Sequence, residues 1–88
     1  MSRRILVTGA SGYLGTRLVA ALERGHRDLW ALLLATDVRQ PPARAMGYGA
    51  VWERMDVRAP ELARLMQRHR IDTVVHLASI VTPGKESS

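Results

Sequence analysis

Three glycines recur at every third position between an apolar run and a segment with helical periodicity; they are Gly9, Gly12 and Gly15. In such a loop the first glycine permits a tight turn, the second lets the backbone approach a ligand, and the third lets helix and strand pack closely. The helix that follows presents N–H groups and a partial positive charge. Glycines also mark ordinary turns, but this context predicts that residues 8–15 bind a pyrophosphate.

A carboxylate follows at the distance that a dinucleotide site requires. Asp37 ends the second apolar run and lies 22 residues after Gly15. There it would accept hydrogen bonds from ribose hydroxyls and repel a 2′-phosphate, which favours NAD over NADP. Arg39 is a cation that could pair with the 2′-phosphate, so NADP remains the alternative. An ordinary turn aspartate is the structural alternative for Asp37.

A second carboxylate closes the third strand-like run. Asp56 and Val57 stand at its end. In a dinucleotide-binding fold this position lies near the adenine, whose exocyclic amine can donate to a carboxylate. The alternative is that Asp56 initiates the helix ahead of Pro60.

Four apolar runs alternate with helical patterns and must position these residues. The sequence predicts strands at residues 5–8, 30–36, 50–55 and 73–78, a helix ending at Gly25, a helix beginning at Pro60, and one or two helical turns at residues 43–48. This alternation implies an α/β fold with a parallel sheet and right-handed crossovers, in the strand order 3-2-1-4. Ligands of such sheets bind beyond the carboxyl ends of the strands, where the order reverses.

Length and composition exclude several classes of protein. The chain has 88 residues, enough for one small domain, and it lacks cysteine, so disulfides and thiol chemistry are excluded. It has no apolar stretch of about 18 residues, so we expect no membrane partner. The apolar run after the basic amino terminus is too short for a signal peptide, and a cytoplasmic location is the default expectation.

The net charge of +5 raises a nucleic-acid hypothesis. Lys85 is the only lysine among thirteen Lys and Arg residues, and no run of like charge exceeds two residues. Two tryptophans and two tyrosines offer little material for base stacking. A solvated, arginine-rich surface is therefore favoured, and we expect no nucleic-acid partner.

Together these features resemble the NAD-dependent epimerase/dehydratase group of the extended short-chain dehydrogenase/reductase family. Residues 8–15 are similar to its T-G-x-x-G-x-x-G loop. Residues 75–79 are similar to the h-h-H-L-A-A segment that closes its fourth strand, with Ser79 in place of the usual alanine. The resemblance runs from Arg4 to Ser79. It implies a Rossmann-like, doubly wound parallel sheet that is incomplete, since the later strands and helices are absent.

The resemblance also implies a role for each part of the site. Backbone at residues 12–14 would hold the pyrophosphate, residues 37–39 would surround the adenosine ribose, and residues 77–79 would line the path toward the nicotinamide. His76, in an apolar strand, is interpreted as a satisfied core residue, and no metal site is expected. The predicted cofactor-binding residues are Gly9, Ser11, Gly12, Tyr13, Leu14, Gly15, Asp37, Val38, Arg39, Asp56, Val57, Leu77, Ala78 and Ser79.

The catalytic Tyr-x-x-x-Lys pair of the family is missing from these residues. Val81 stands four residues before Lys85, and Arg17 stands four residues after Tyr13, so neither position can supply the pair. These residues alone should not turn over substrate. The resemblance implies a parent enzyme with hydride chemistry on a nucleotide sugar or a similar hydroxyl or keto compound.

The expected organisation follows from this resemblance. Residues 1–80 are expected to be the amino-terminal part of an NAD(P)-binding domain, and residues 81–88 a polar loop or truncated tail. The expectation is a piece of a larger enzyme whose fourth strand is an apolar edge, through which copies could associate. The alternative is a stand-alone, non-catalytic dinucleotide-binding or sensor module.

Overall fold

The computed structural model describes residues 2–41 and 49–77. The helical turns predicted at residues 43–48, the predicted site residues Ala78 and Ser79, and residues 81–88 lie outside the described residues. A one-turn 3-10 helix at Arg27–Leu29, which the sequence did not predict, precedes the second strand. The other elements, in chain order, are β1 (Arg3–Thr8), α1 (Tyr13–Gly25), β2 (Trp30–Asp37), β3 (Val51–Arg54), α2 (Glu61–Arg68) and β4 (Thr73–His76).

The four strands form one parallel sheet in the order β3-β2-β1-β4. This confirms the predicted strand order of a doubly wound, Rossmann-like α/β fold. The central strand β1 pairs with β2 on one side and with β4 on the other, so the order reverses at β1. The loop that follows β1 therefore opens at the reversal, where a ligand of this fold binds.

Within the described part of the chain, α1 covers one face of the sheet and α2 covers the other. Ile5 and Val7 point to a cluster that includes Val19 of α1, whereas Leu6 points to a cluster that includes Leu65 of α2. Successive side chains of a strand point to opposite faces, so a strand covered on both faces must be apolar throughout. This explains why the first two strands read as continuous apolar runs.

The two edge strands are shorter than predicted. β3 ends at Arg54 because the chain leaves the sheet after the amide of Met55, which donates to the carbonyl of Asp37 at 2.8 Å. β4 ends at His76, although the sequence favoured a strand to Ala78. An edge strand has a partner on one side only, so its ends are less constrained than those of β1.

His76 is not a core residue, contrary to the sequence-based interpretation. It lies on the edge strand β4, where alternate side chains are exposed, and both Val74 and His76 face solvent. Its Nδ1 atom is nevertheless hydrogen-bonded to Oγ1 of the buried Thr8 at 2.8 Å. Nδ1 of the imidazole therefore has a hydrogen-bond partner on the adjacent strand β1, although the side chain is not buried.

The carboxyl end of α2 is closed by a Schellman motif. The amide of Ile71 donates to the carbonyl of Met66 at 3.0 Å, and that of Arg70 donates to Gln67 at 3.2 Å. Met66 and Ile71 belong to the same apolar cluster, which is the contact that usually accompanies this motif. Arg70 occupies the left-handed position, with φ of 52°, where glycine is preferred.

Neither α-helix in residues 2–41 and 49–77 has the length and hydropathy needed to cross a membrane.

Candidate functional site

The loop after β1 is a tight turn that is fixed to the neighbouring strand. Gly9 has φ of 68°, a left-handed conformation that glycine adopts without steric penalty. Its carbonyl accepts the amide of Gly12 at 3.1 Å. The amide of Ala10 donates to the carbonyl of Thr36 in β2 at 3.0 Å. The loop therefore has one defined shape before any ligand arrives.

Gly15 is required by packing between α1 and the loop. A Cβ atom at this position would lie 2.6 Å from Cα of Ala10 and still closer to the carbonyl oxygen of Gly9. Both obstacles are backbone atoms, so no side-chain rotation relieves the clash. The close approach is between α1 and the loop after β1, whereas the sequence predicted close packing of helix against strand.

Gly12 differs from the other two glycines because the fold itself does not require it. It is the N-cap residue of α1 in an extended conformation, with φ of −77°. A Cβ atom there would lie 3.3 Å from both the Gly9 carbonyl oxygen and Nη2 of Arg39, which is a tight contact but not a forbidden one. The absence of a side chain leaves the backbone open to a ligand.

The amino terminus of α1 presents unpaired donors at this opening. The first-turn N–H groups of a helix have no intrahelical partner, and no side chain among the described residues caps α1. The first turn contains no acidic residue that would neutralise its partial positive charge. The opening can therefore receive an anion.

Asp37 is held against the glycine loop. Its side chain is 8% exposed at the carboxyl end of β2, and Oδ2 accepts the amide of Ser11 at 3.0 Å. Oδ1 accepts the amide of Arg39 at 3.1 Å, and Nε of Arg39 lies 3.8 Å from the same oxygen. The fold thus brings the predicted acid to the loop across 26 residues of sequence.

Ser11 contributes a second polar atom to the loop. Its Oγ is buried and finds no hydrogen-bond partner among the described residues. Buried hydroxyls without a partner are uncommon, and one in a loop suited to anions fits a polar ligand. The contact of the Ser11 amide with Asp37 was not foreseen, because only the fold brings the two residues together.

Asp56 occupies a turn after β3 and is paired within that turn. Oδ1 accepts the amide and Nε of Arg58 at 2.8 and 3.2 Å, and Oδ2 accepts Nη2 at 2.9 Å. These hydrogen bonds lower the pKa of Asp56 to about 2 and raise that of Arg58. Both carboxylate oxygens are therefore already engaged at the position predicted to meet the adenine.

The sequence Asp-Val-Arg begins at the last residue of β2 and recurs two residues after the end of β3. In each copy Oδ1 of the aspartate accepts the amide of the arginine two residues later. Asp37 is buried, whereas the Asp56 side chain is 38% exposed. The sequence-based reasoning missed Arg58, although this recurrence of Asp37–Arg39 spacing was a signal for it.

The remaining predicted residues lie at varying distances from the loop. Leu77 is brought beside it, since its amide donates to the carbonyl of Thr8 at 3.1 Å. Tyr13, Leu14 and Val38 have exposed side chains, and only backbone roles were predicted for the first two. Val57 is half-buried in the turn after β3. No group of three His, Asp or Glu side chains within residues 2–41 and 49–77 could hold a metal ion.

The residues present fit a dinucleotide. The glycine loop offers an opening that a Cβ at Gly12 would narrow, the helix offers donors for a diphosphate, and Ser11 offers a free hydroxyl. Asp37 lies in contact with that loop, where a carboxylate can accept from ribose hydroxyls.

Several known proteins are similar to this chain in sequence and in fold. The sequence profile of the NAD dependent epimerase/dehydratase family matches residues 5–88. An uncharacterised epimerase/dehydratase of Staphylococcus haemolyticus is 30% identical over 88 residues, which cover 97% of this chain and 26% of that protein. A monomeric L-threonine 3-dehydrogenase of metagenomic origin is 35% identical and has a TM-score of 0.65. The match covers 94% of this chain and 25% of the dehydrogenase chain. The L-threonine dehydrogenase of Clostridium difficile is 25% identical and has a TM-score of 0.71. That match covers 98% of this chain and 27% of the dehydrogenase chain.

The chain spans about a quarter of the length of these relatives. The match to the family extends over nearly all residues of this chain, and its fold is similar to that of the dehydrogenase structures, with TM-scores of 0.71 and 0.65. With its glycine loop and strand-terminal acid, this chain belongs to the NAD dependent epimerase/dehydratase family.

Proposed function

We propose that this chain binds NAD as the amino-terminal part of the cofactor domain of an NAD-dependent epimerase, dehydratase or dehydrogenase. The observation that best supports this proposal is the hydrogen bond from the Ser11 amide to the Asp37 carboxylate at 3.0 Å. It joins the residue suited to ribose hydroxyls to the loop suited to a diphosphate. The bound nicotinamide would supply hydride transfer.

Each part of this chain has a binding role in the proposal. The backbone at residues 12–14 donates to the diphosphate, and Asp37 accepts from the ribose with Val38 and Arg39 beside it. Asp56 and Val57 flank the adenine, where Asp56 can use only the lone pairs that Arg58 leaves free. Leu77, whose amide is bound to the carbonyl of Thr8, lies on the proposed path toward the nicotinamide.

NAD rather than NADP is the proposed cofactor because of the position of Asp37. The Asp37 carboxylate is 8% exposed and accepts the amides of Ser11 and Arg39, so its position beside the proposed ribose site is fixed. A 2′-phosphate at that ribose would therefore meet a fixed negative charge, which raises its binding free energy.

The proposed substrate is a nucleotide sugar or a similar hydroxyl or keto compound. A second candidate is the hydroxyl of L-threonine, favoured by the similarity to two L-threonine dehydrogenases. In either case we propose that the Tyr-x-x-x-Lys pair lies outside these 88 residues. A gene that continues into such a segment supports this enzyme, whereas a gene without one favours the non-catalytic module.

Calorimetric titration of the protein with NAD and NADP tests the binding proposal. The wild type should bind NAD more tightly than NADP. Gly12→Val should abolish binding, because its side chain fills the opening that the backbone presents to the diphosphate. Gly12→Ala should weaken binding and preserve the fold, since the Gly12 backbone conformation suits any residue.

Gly25→Ala is the matched control. It changes the other end of the same helix, where a Cβ meets no atom of the described residues within 4 Å. Its NAD affinity should equal that of the wild type. Unchanged affinity in Gly12→Val would remove the glycine loop from the binding site and contradict the proposal.

A further inference from the structure

We infer that Arg39 binds the diphosphate of the cofactor, which is common to NAD and NADP, rather than a 2′-phosphate. The inference rests on the proposed function and assigns one specific residue within that site. The positive charge of Arg39 could pair with the diphosphate or with a 2′-phosphate. The position of its side chain favours the diphosphate.

The Arg39 side chain is folded back over the glycine loop. Its Nη2 atom lies 3.3 Å from the point where a side chain at Gly12 would begin. Its amide and Nε both face Oδ1 of Asp37, at 3.1 and 3.8 Å. One side of the guanidinium thus lies beside the Asp37 carboxylate and the other beside Gly12, the N-cap residue of α1, which borders the opening proposed for the diphosphate.

The charge balance at the loop also favours this role. The Ser11 amide bonds to Asp37 at 3.0 Å, so a carboxylate lies one residue from Gly12 and beside the opening for the diphosphate. A diphosphate carries two negative charges, and the amino terminus of a helix offers only about half a positive charge. The positive charge of Arg39 would offset the repulsion between the Asp37 carboxylate and a bound diphosphate.

A neighbouring cation is engaged elsewhere. The guanidinium carbon of Arg17 lies 4.7 Å from the centre of the Tyr13 ring, on the exposed face of α1. Arg39 has a two-thirds exposed side chain, so it can adjust to a ligand without breaking core contacts. Its guanidinium can donate two hydrogen bonds to phosphate oxygens, which a compact ammonium does not reproduce.

The position of Arg39 argues against a 2′-phosphate role. A 2′-phosphate would stand on the ribose that Asp37 binds. The Nε side of the Arg39 guanidinium is already paired with Asp37 at 3.8 Å, and its Nη2 atom lies beside Gly12. Removing Arg39 should therefore weaken every ligand that contains a diphosphate and should leave the preference for NAD over NADP unchanged.

The test is calorimetric titration of wild type, Arg39→Met and Arg39→Lys with adenosine, ADP, NAD and NADP. Arg39→Met should weaken ADP, NAD and NADP by about tenfold each, the loss of one charge-assisted contact. Adenosine affinity should stay unchanged, and Arg39→Lys should recover only part of the loss. Arg64→Met is the matched control, because it removes the same charge from an exposed position on α2 and should change no affinity.

Each outcome has a distinct meaning. A loss confined to NADP would assign Arg39 to the 2′-phosphate and overturn the inference. Equal affinities of wild type and Arg39→Met for ADP and NAD would overturn it while the proposed function stands. A wild type that binds neither ADP nor NAD would overturn both. Far-ultraviolet circular dichroism of each variant checks that the fold is retained.

Discussion

Replacing Gly15 with alanine should destabilise the protein, although alanine is the better helix former. Gly15 lies in the first turn of α1, where its Cα faces the loop after β1. The new Cβ would lie 2.6 Å from Cα of Ala10 and closer still to the carbonyl oxygen of Gly9. Since these are backbone atoms of a turn tied to β2, either α1 or the loop must move.

Two effects of opposite sign decide the magnitude. Alanine stabilises a helix by about 1 kcal/mol relative to glycine. Overpacking against atoms that cannot rotate away destabilises by about 3 kcal/mol, the upper part of the usual range. The net loss is about 2 kcal/mol. A loss of about 2 kcal/mol is large enough to be measured by denaturation.

Urea denaturation followed by tryptophan fluorescence measures this loss. Trp30 is buried, and its Nε1 donates to the carbonyl of Leu22 in α1 at 2.9 Å, so its emission reports the docking of α1 on the sheet. With an m-value of about 1 kcal/mol/M, the midpoint should fall by about 2 M.

Gly25→Ala provides the control for helix propensity. The same substitution at the last residue of α1 meets open space among the described residues. Its midpoint should rise by about 0.5–1 M. If Gly15→Ala were as stable as Gly25→Ala, the close approach of α1 to the loop would not hold and the packing role of Gly15 would be refuted.

Two further perturbations test features outside the loop. Arg70→Gly should raise the free energy of unfolding by about 0.5–1 kcal/mol, because glycine accepts the left-handed conformation without penalty; a lower urea midpoint would contradict the Schellman motif between Met66 and Ile71. The lowered pKa of Asp56, held by Arg58, contributes stability that is complete above its unfolded pKa near 4 and is lost as the pH falls through about 2. Asp56→Asn should therefore show a shallower loss of stability between pH 4 and pH 2, measured by thermal melts across that range, and an unchanged slope would discount the pair.

The fold could be predicted from the sequence because its signals are local. The apolar runs ending at Thr8 and Asp37 have the composition of strands covered on both faces, and alternation with helices restricts the topology. Gly25 ends α1 as predicted. The edge strands were less predictable, since their length depends on pairing with β2 and β1 rather than on their own residues.

The side-chain contacts at the candidate site were less accessible to sequence reasoning. The position of Asp37 at a strand end follows from spacing, but its bond to Ser11 depends on the path of the loop. His76 is exposed although its strand is apolar, because only one face of the edge strand β4 is covered by the described residues, and Val74 and His76 lie on the other face. Pairing of Asp56 with Arg58 depends on a turn that the apolar pattern does not encode.

The recurrence of Asp-Val-Arg after β2 and β3 has a consequence for reading mutational data. Identical tripeptides give one carboxylate enclosed by an inner strand and another open to solvent at the margin. Tolerance to substitution should therefore differ between Asp37 and Asp56 even though their immediate sequence is the same. The position of each strand in the sheet, inner or edge, determines how far the carboxylate of each tripeptide is buried and therefore which substitutions it tolerates.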